Sequence, residues 1–278
     1  MNSPRIALTD LDGTLLRPDR TVSTYTVEVL TAWVEAGNVL SFATARSAVG
    51  ALPMVNAIPW RSPLVVYDGA LLYDPLSHRH LASQCLDADT INQVLHDYPL
   101  THSEPLLFAL DAEGRERVLH TPLRLPGPQA FRNTRGDDPR FLEVAELYCP
   151  AGWQVLKLLF IGAGTELTAL HRDIHAQLGN RIHSHLMHDL YLDGDYTLDI
   201  SHPHANKHHG TLAWAAHLAR TADEIIAFGD NLNDMGLFSA VGTRVAMGNA
   251  VDALKARADV VIGTNEEDAV ARYLAALM

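Results

Sequence analysis

With 278 residues and 47% hydrophobic content, the chain can bury a full core and is long enough for one large domain or two modest ones. A formal net charge of −12, with no run of lysine or arginine, argues against a general affinity for nucleic acid or anionic membrane surfaces. Two cysteines, Cys85 and Cys149, lack CxxC spacing and suggest neither a disulfide framework nor a thiolate zinc site, and no apolar stretch is long enough to span a bilayer.

In chain order, Ile6 to Leu8 has the composition of a buried strand and ends in Asp10-Leu11-Asp12-Gly13, so two carboxylates stand at a strand's carboxyl end. In an open parallel sheet that edge is where ligands bind. Two carboxylates one residue apart, with Gly13 allowing a sharp turn, can hold a divalent cation and still present an oxygen for attack. A plain turn is the alternative use of Asp-Gly. The start of the chain carries no signal-peptide pattern, and the expectation is a soluble, cytoplasmic protein.

Ser23 is placed to cap a helix with Val27, Leu30, Trp33 and Val34 on one face and Gly37 at its end. Asn38 to Phe42 gives a second buried strand, which terminates in Thr44-Ala45-Arg46 at the same edge as Asp10. Pro63 to Tyr73 supplies a third strand, an Asp68-Gly69 turn and a short hairpin.

From residue 84 to residue 192 the pattern changes to that of an inserted α+β module. Asp87 or Asp89 caps a helix bearing Ile91, Val94, Leu95 and Tyr98. Leu106 to Leu110 and Glu116 to His120 read as hairpin arms, and Pro122 to Pro139 as an exposed loop. Trp153 to Ile161 is an apolar strand, after which Thr165 caps a helix that buries Leu167, Leu170, Ile174 and Leu178 and stops at Gly179.

The carboxyl third returns to alternating strands and helices, beginning with Leu198 to Ser201. Lys207 stands at a helix start, where it opposes the macrodipole and so calls for a reason beyond decoration. Glu224 to Gly229 is a buried strand ending in Asp230-Asn231-Leu232-Asn233-Asp234, a second gathering of acids at a strand end. Thr243 to Met247 and Asp259 to Ile262 read as two further strands.

As a set, these stretches resemble the haloacid dehalogenase superfamily of phosphohydrolases, in particular its Cof-type subclass (subclass IIB). Asp10 to Leu16 is similar to the first motif, Phe42 to Arg46 to the second, Lys207 to the third and Gly229 to Asp234 to the fourth. Ala246 to Ala250 and Thr264 to Val270 resemble further subclass signatures. The resemblance implies a Rossmann-like doubly wound parallel sheet in an α/β core, residues 1–83 and 193–278, with residues 84–192 as an inserted α+β cap that sets substrate specificity.

It also implies an Mg²⁺-dependent phosphatase of small phosphorylated metabolites, with sugar phosphates favoured, working through an aspartyl-phosphate. Asp10 would be the nucleophile, Asp12 the acid/base and Lys207 the charge on the phosphoryl group. Leu11, Thr44, Ala45 and Asn233 would bind that group, Asp234 would orient Lys207 or metal-bound water, and the metal would sit on the side chains of Asp10 and Asp230 and the main-chain carbonyl of Asp12. The partner is a small phosphorylated metabolite rather than nucleic acid or membrane, and the state is a monomer or homodimer. A phosphomutase on the same scaffold and a phosphate-responsive binding or signalling protein are the alternatives.

Three residues depart from the subclass pattern: Asp68 stands where Asn is usual, Ala45 where Gly is common, and Ala269 for a frequent Gly. The histidines between His183 and His209 match no compact zinc motif.

Overall fold

The computed structural model describes residues 5–98, 103–188 and 195–278. The chain divides into two compact units, one of Met1–Ser83 with His204–Met278 and one of Gln84–Pro203.

The first unit opens with β1 (Ile6–Thr9), buried throughout, and α1 (Thr24–Glu35). Ser23 caps α1 through the amide of Thr26 (3.0 Å). The helix turns Thr26, Val29, Leu30, Trp33 and Val34 inward, so its apolar face centres on Val29 rather than on the predicted Val27. Next come β2 (Val39–Phe42), α2 (Ala48–Val55), β3 (Leu64–Val66), β4 (Leu71–Asp74) and β5 (Arg79–Ser83). The last three form their own antiparallel sheet, tied to β2 by the Ala43–Val65 bridge and by the Thr44 amide donating to the Val65 carbonyl (2.9 Å).

The second unit runs α3 (Ala88–Asp97), β6 (Leu106–Leu110), β7 (Glu116–His120), α4 (Pro126–Asn133), β8 (Phe141–Glu143), β9 (Gln154–Ala163), α5 (Gly164–Leu178), β10 (His183–His188) and β11 (Asp195–Ser201). Its six strands pair in the order β10-β11-β9-β6-β7-β8, and Ile91 and Val94 of α3 and Leu167, Ile174 and Leu178 of α5 close a core with Val155, Leu158, Phe160, Leu198 and Ile200.

Three expectations change here. The stretch expected to be a loop contains α4, which begins at Pro126, where a proline's fixed φ and missing amide suit a first turn. The fifth helix starts at Gly164 with Ala163 at the cap position, so Thr165 lies inside it and does not cap it. The boundary drawn at 192/193 lies outside the described residues, and the strand Leu198 to Ser201, assigned by sequence to the carboxyl third, pairs along β9 and β10, so the second unit runs on to Pro203.

Back in the first unit follow α6 (Lys207–His217), β12 (Ile225–Gly229), α7 (Asp234–Ala240), β13 (Thr243–Ala246), α8 (Asp252–Lys255), β14 (Val260–Val261) and α9 (Ala269–Ala275). The main sheet has the order β14-β13-β12-β1-β2 with every pairing parallel. Starting at β1 and winding out both ways, it is the doubly wound α/β core that the motif pattern implied. Thr9 sits in register with Phe228 on one side and Phe42 on the other, so Asp10, Thr44 and Asp230 emerge at one edge. Leu8, Trp33, Phe42 and Phe228 are fully buried around these strands. Each such side chain stabilises the core by about 1.5–3 kcal/mol, which fixes the edge from which the acids project.

Candidate active site

Lys207 is the centre of the site. Its side chain is wholly buried, and Nζ donates to Asp10 Oδ1 and Asp234 Oδ1, both at 2.6 Å. Burial pulls the ammonium toward its neutral form, but the carboxylates of Asp10 and Asp234 outweigh that and hold the proton on. Asp234 spends its other oxygen on the amides of Asp230 (2.9 Å) and Asn231 (3.1 Å), so one carboxylate both aims Lys207 and shapes the loop after β12.

Asp230 accepts the Thr14 hydroxyl (2.9 Å). Oxygens of Asp10, Asp230 and Asp234 lie within 4.8 Å of one another. Three carboxylates around one ammonium are short of positive charge. Burial, reinforced by Asp234, pushes Asp230 up to about 6. Burial raises Asp10 well above the usual carboxylate range, with Asp234 and Asp230 adding to it and Lys207 opposing. An all-oxygen, charge-deficient cluster suits a hard divalent cation such as Mg²⁺. The residues present therefore fit the ion that the motifs imply, and Asp10 and Asp230 would be its side-chain donors, since both oxygens of Asp234 are engaged elsewhere.

Gly13 explains the sharp turn after Asp12. Its φ is +77°, and a Cβ there would collide with the Asp230 carboxylate. The turn is strutted from the far end of the chain: Asn249 Nδ2 donates to the Gly13 carbonyl (2.8 Å), and Asn265 Nδ2 donates to the Leu16 carbonyl (2.7 Å) while its amide donates to Asn249 Oδ1 (3.1 Å). Arg17 and Asp268 add an ion pair at 3.0 Å. The two subclass signatures near the carboxyl end thus act as braces for the first motif.

Thr44 is buried, and its hydroxyl oxygen accepts the Arg46 amide (3.2 Å). Leu11 is buried beneath the loop, Ala45 is exposed, and Asn233 occupies the position before α7. The residue that sequence reasoning quoted without a role is Arg46. Its Nε and Nη2 each donate to a different oxygen of Asp12, both at 2.6 Å, a bidentate pair across 34 residues of chain. The pairing becomes visible only once β1 and β2 are known to be neighbours.

Residues 7–274 match the family of haloacid dehalogenase-like hydrolases. The chain is 30% identical to the pyridoxal phosphate phosphatase YbhA of Escherichia coli (strain K12), over 97% of both chains. It is also 30% identical to an HMP-PP phosphatase of Serratia proteamaculans (strain 568), over 97% of this chain and 94% of that one. Among solved structures, a haloacid dehalogenase-like hydrolase from Bacteroides thetaiotaomicron superposes with a TM-score of 0.82 at 23% identity, covering 99% of this chain and 100% of that one.

Proposed function

The chain belongs to the haloacid dehalogenase-like hydrolases, in the Cof-type subclass, and on that premise we propose that it is an Mg²⁺-dependent phosphatase of small phosphate esters that works through an aspartyl-phosphate on Asp10. The observation that carries this reading is Lys207 clamped between Asp10 and Asp234 at the carboxyl edge of the sheet, with Asp230 beside them.

An anionic nucleophile meets an anionic ester only where positive charge is supplied. The side chains of Asp10 and Asp230 and the main-chain carbonyl of Asp12 would hold Mg²⁺, which would supply part of that charge. Lys207 supplies the rest, and its contact with Asp234 holds it in place as the phosphoryl group arrives. The Thr44 hydroxyl and the Leu11 amide hydrogen-bond phosphoryl oxygens, with Ala45 and Asn233 bordering them. Asp10 forms a bond to phosphorus as the ester oxygen leaves, and Asp12 gives that oxygen its proton. Asp12 then takes a proton from water, which attacks phosphorus and restores the Asp10 carboxylate. Asp12 rests against Arg46 as a bidentate acceptor, so in this reading the pair opens and Asp12 takes up a proton from solvent before it serves as the acid.

Two relatives matched over nearly their full length are named for pyridoxal phosphate and HMP-PP. The phosphate ester of a small aromatic heterocycle is therefore the first substrate class, ahead of the sugar phosphates that the motif resemblance favours. The unit of residues 84–203 is the selector of the leaving group in this reading.

The test is phosphate release from pyridoxal phosphate and from glucose 6-phosphate by the purified chain with Mg²⁺, alongside Asp10→Asn. Equal amounts of phosphate and free alcohol are expected from the wild type, and a kcat lower by roughly three orders of magnitude or more from the variant. Isomerised ester in place of free phosphate would favour the phosphomutase. No phosphate from any ester would end the hydrolase proposal, and a variant with substantial activity would remove Asp10 as nucleophile.

A further inference from the structure

The turn after β3 holds a carboxylate that the mechanism above does not use. Tyr67, Asp68 and Gly69 lie consecutively in the left-handed region, with φ of 51°, 52° and 99°. For Tyr67 this conformation is strained, and such strain persists only where surrounding contacts over-determine it.

Here they do. The Tyr67 amide donates to the Arg46 carbonyl and the Asp68 amide to the Thr44 carbonyl, both at 2.9 Å. Gly69 packs so closely on Asn206, the residue that caps α6, that a Cβ would collide with its carbonyl. The turn is therefore pinned at one end to the segment that offers the Thr44 hydroxyl and at the other to the helix start that offers Lys207. Asp68 Oδ1 is buried and accepts no hydrogen bond.

A buried acceptor without a donor is costly, and a negative charge beside a phosphate site repels the substrate's own phosphate. Both costs are offset if the substrate brings the donor. We propose that Asp68 is a specificity-determining residue whose unpartnered oxygen accepts a hydrogen bond from a hydroxyl or protonated amine on the leaving group of the phosphate ester. The same charge rejects esters whose leaving group is anionic, so one side chain attracts one substrate class and excludes another. The inference rests on the phosphatase reading above and adds to it the polarity of the group next to the phosphate.

The experiment uses the full chain with Mg²⁺ and two ester pairs that differ in one donor, 2-aminoethyl phosphate against ethyl phosphate and pyridoxamine phosphate against pyridoxal phosphate. Each pair is run in one vessel, so that the ratio of kcat/KM is read directly. The ratio in Asp68→Asn divided by that in the wild type cancels the intrinsic reactivity of the esters. It is also independent of how much enzyme is folded, so a variant of low yield still gives a result.

Asn keeps the shape and tolerates the left-handed turn while removing the charge. The donor-bearing ester is expected to lose its advantage by about fivefold or more in at least one pair, with carboxymethyl phosphate gaining relative to ethyl phosphate. A change below about fivefold in both pairs overturns the assignment of Asp68. Absence of phosphate release from every ester by the wild type is a different failure, that of the phosphatase reading itself.

Discussion

At the scale of single residues, two opposite-sign contacts organise the site. Lys207 lies between two acids, and Asp12 lies against the fork of Arg46. Guanidinium geometry matters in the second pair, because two parallel donors fix the carboxylate plane as a single ammonium does not. Arg46→Lys keeps the charge and loses the fork. The expected outcome is a kcat lower by about tenfold with KM changed much less, because Asp12 acts on the departing oxygen and on water rather than in substrate binding. Steady-state kinetics on p-nitrophenyl phosphate checks it. A loss confined to KM would place Arg46 on the substrate instead of on Asp12. Asp10, Thr44 and Asp230 were legible in the sequence because each follows an apolar run that ends abruptly. The contacts of Arg46, Asn249 and Asn265 were not, since their partners are brought near only by sheet order or by the closing of the chain's two ends on one loop.

At the scale of elements, parallel pairing of β12, β1 and β2 does most of the positioning, and the loops only finish it. That is why the core was readable from buried strands and helix caps, with Ser23 and Asp87 found where they were expected. The places where the reading failed share a cause. A proline-rich stretch can open a helix as well as interrupt one, and α4 does so. A strand such as β11 carries no local mark of which sheet it joins. The first loop depends on a position that only glycine fills without strain. Gly13→Ala adds a Cβ at φ +77° against the Asp230 carboxylate. The expected cost is about 1–3 kcal/mol of stability, a fall of several degrees in melting temperature. Activity should fall further than the loss of folded protein explains, because Asp230 must move. Thermal melts with kcat corrected for folded fraction check this, and unchanged kcat in a destabilised variant would separate the turn from the site.

The proposed metal would belong to the scale of the whole active edge, since Asp10 and Asp230, the acids that would hold it, come from loops more than two hundred residues apart in sequence. EDTA is expected to silence the protein and Mg²⁺ to restore it, with Ca²⁺ supporting poorly. Calcium–oxygen distances of about 2.3–2.6 Å against about 2.0–2.1 Å for magnesium, with a higher coordination number, shift an ester that has to lie in line with Asp10. Rates after chelation and back-titration decide it, and full activity in EDTA would remove the ion from the mechanism.

The second unit has a well-filled core on one side of its sheet, with Leu158, Phe160, Leu198 and Ile200 facing α3 and α5. Alternation along β11 turns Asp199 to the opposite face, where Lys157 reaches it at 3.0 Å with its ammonium 5.3 Å from the centre of the Phe108 ring. An ion pair whose side chains are only 15% and 20% exposed gains little net stability, because desolvation offsets much of the attraction. If this unit selects the leaving group, Lys157→Gln should change the ratio of kcat/KM between pyridoxal phosphate and glucose 6-phosphate by about fivefold or more, and change the rate on p-nitrophenyl phosphate by less. Lys207→Gln should instead depress all three esters together, because every one of them presents the same phosphoryl group to that ammonium. Were the ratios to stay fixed in the Lys157 variant and shift in the Lys207 variant, selection would lie with the first unit, and the second would need another role.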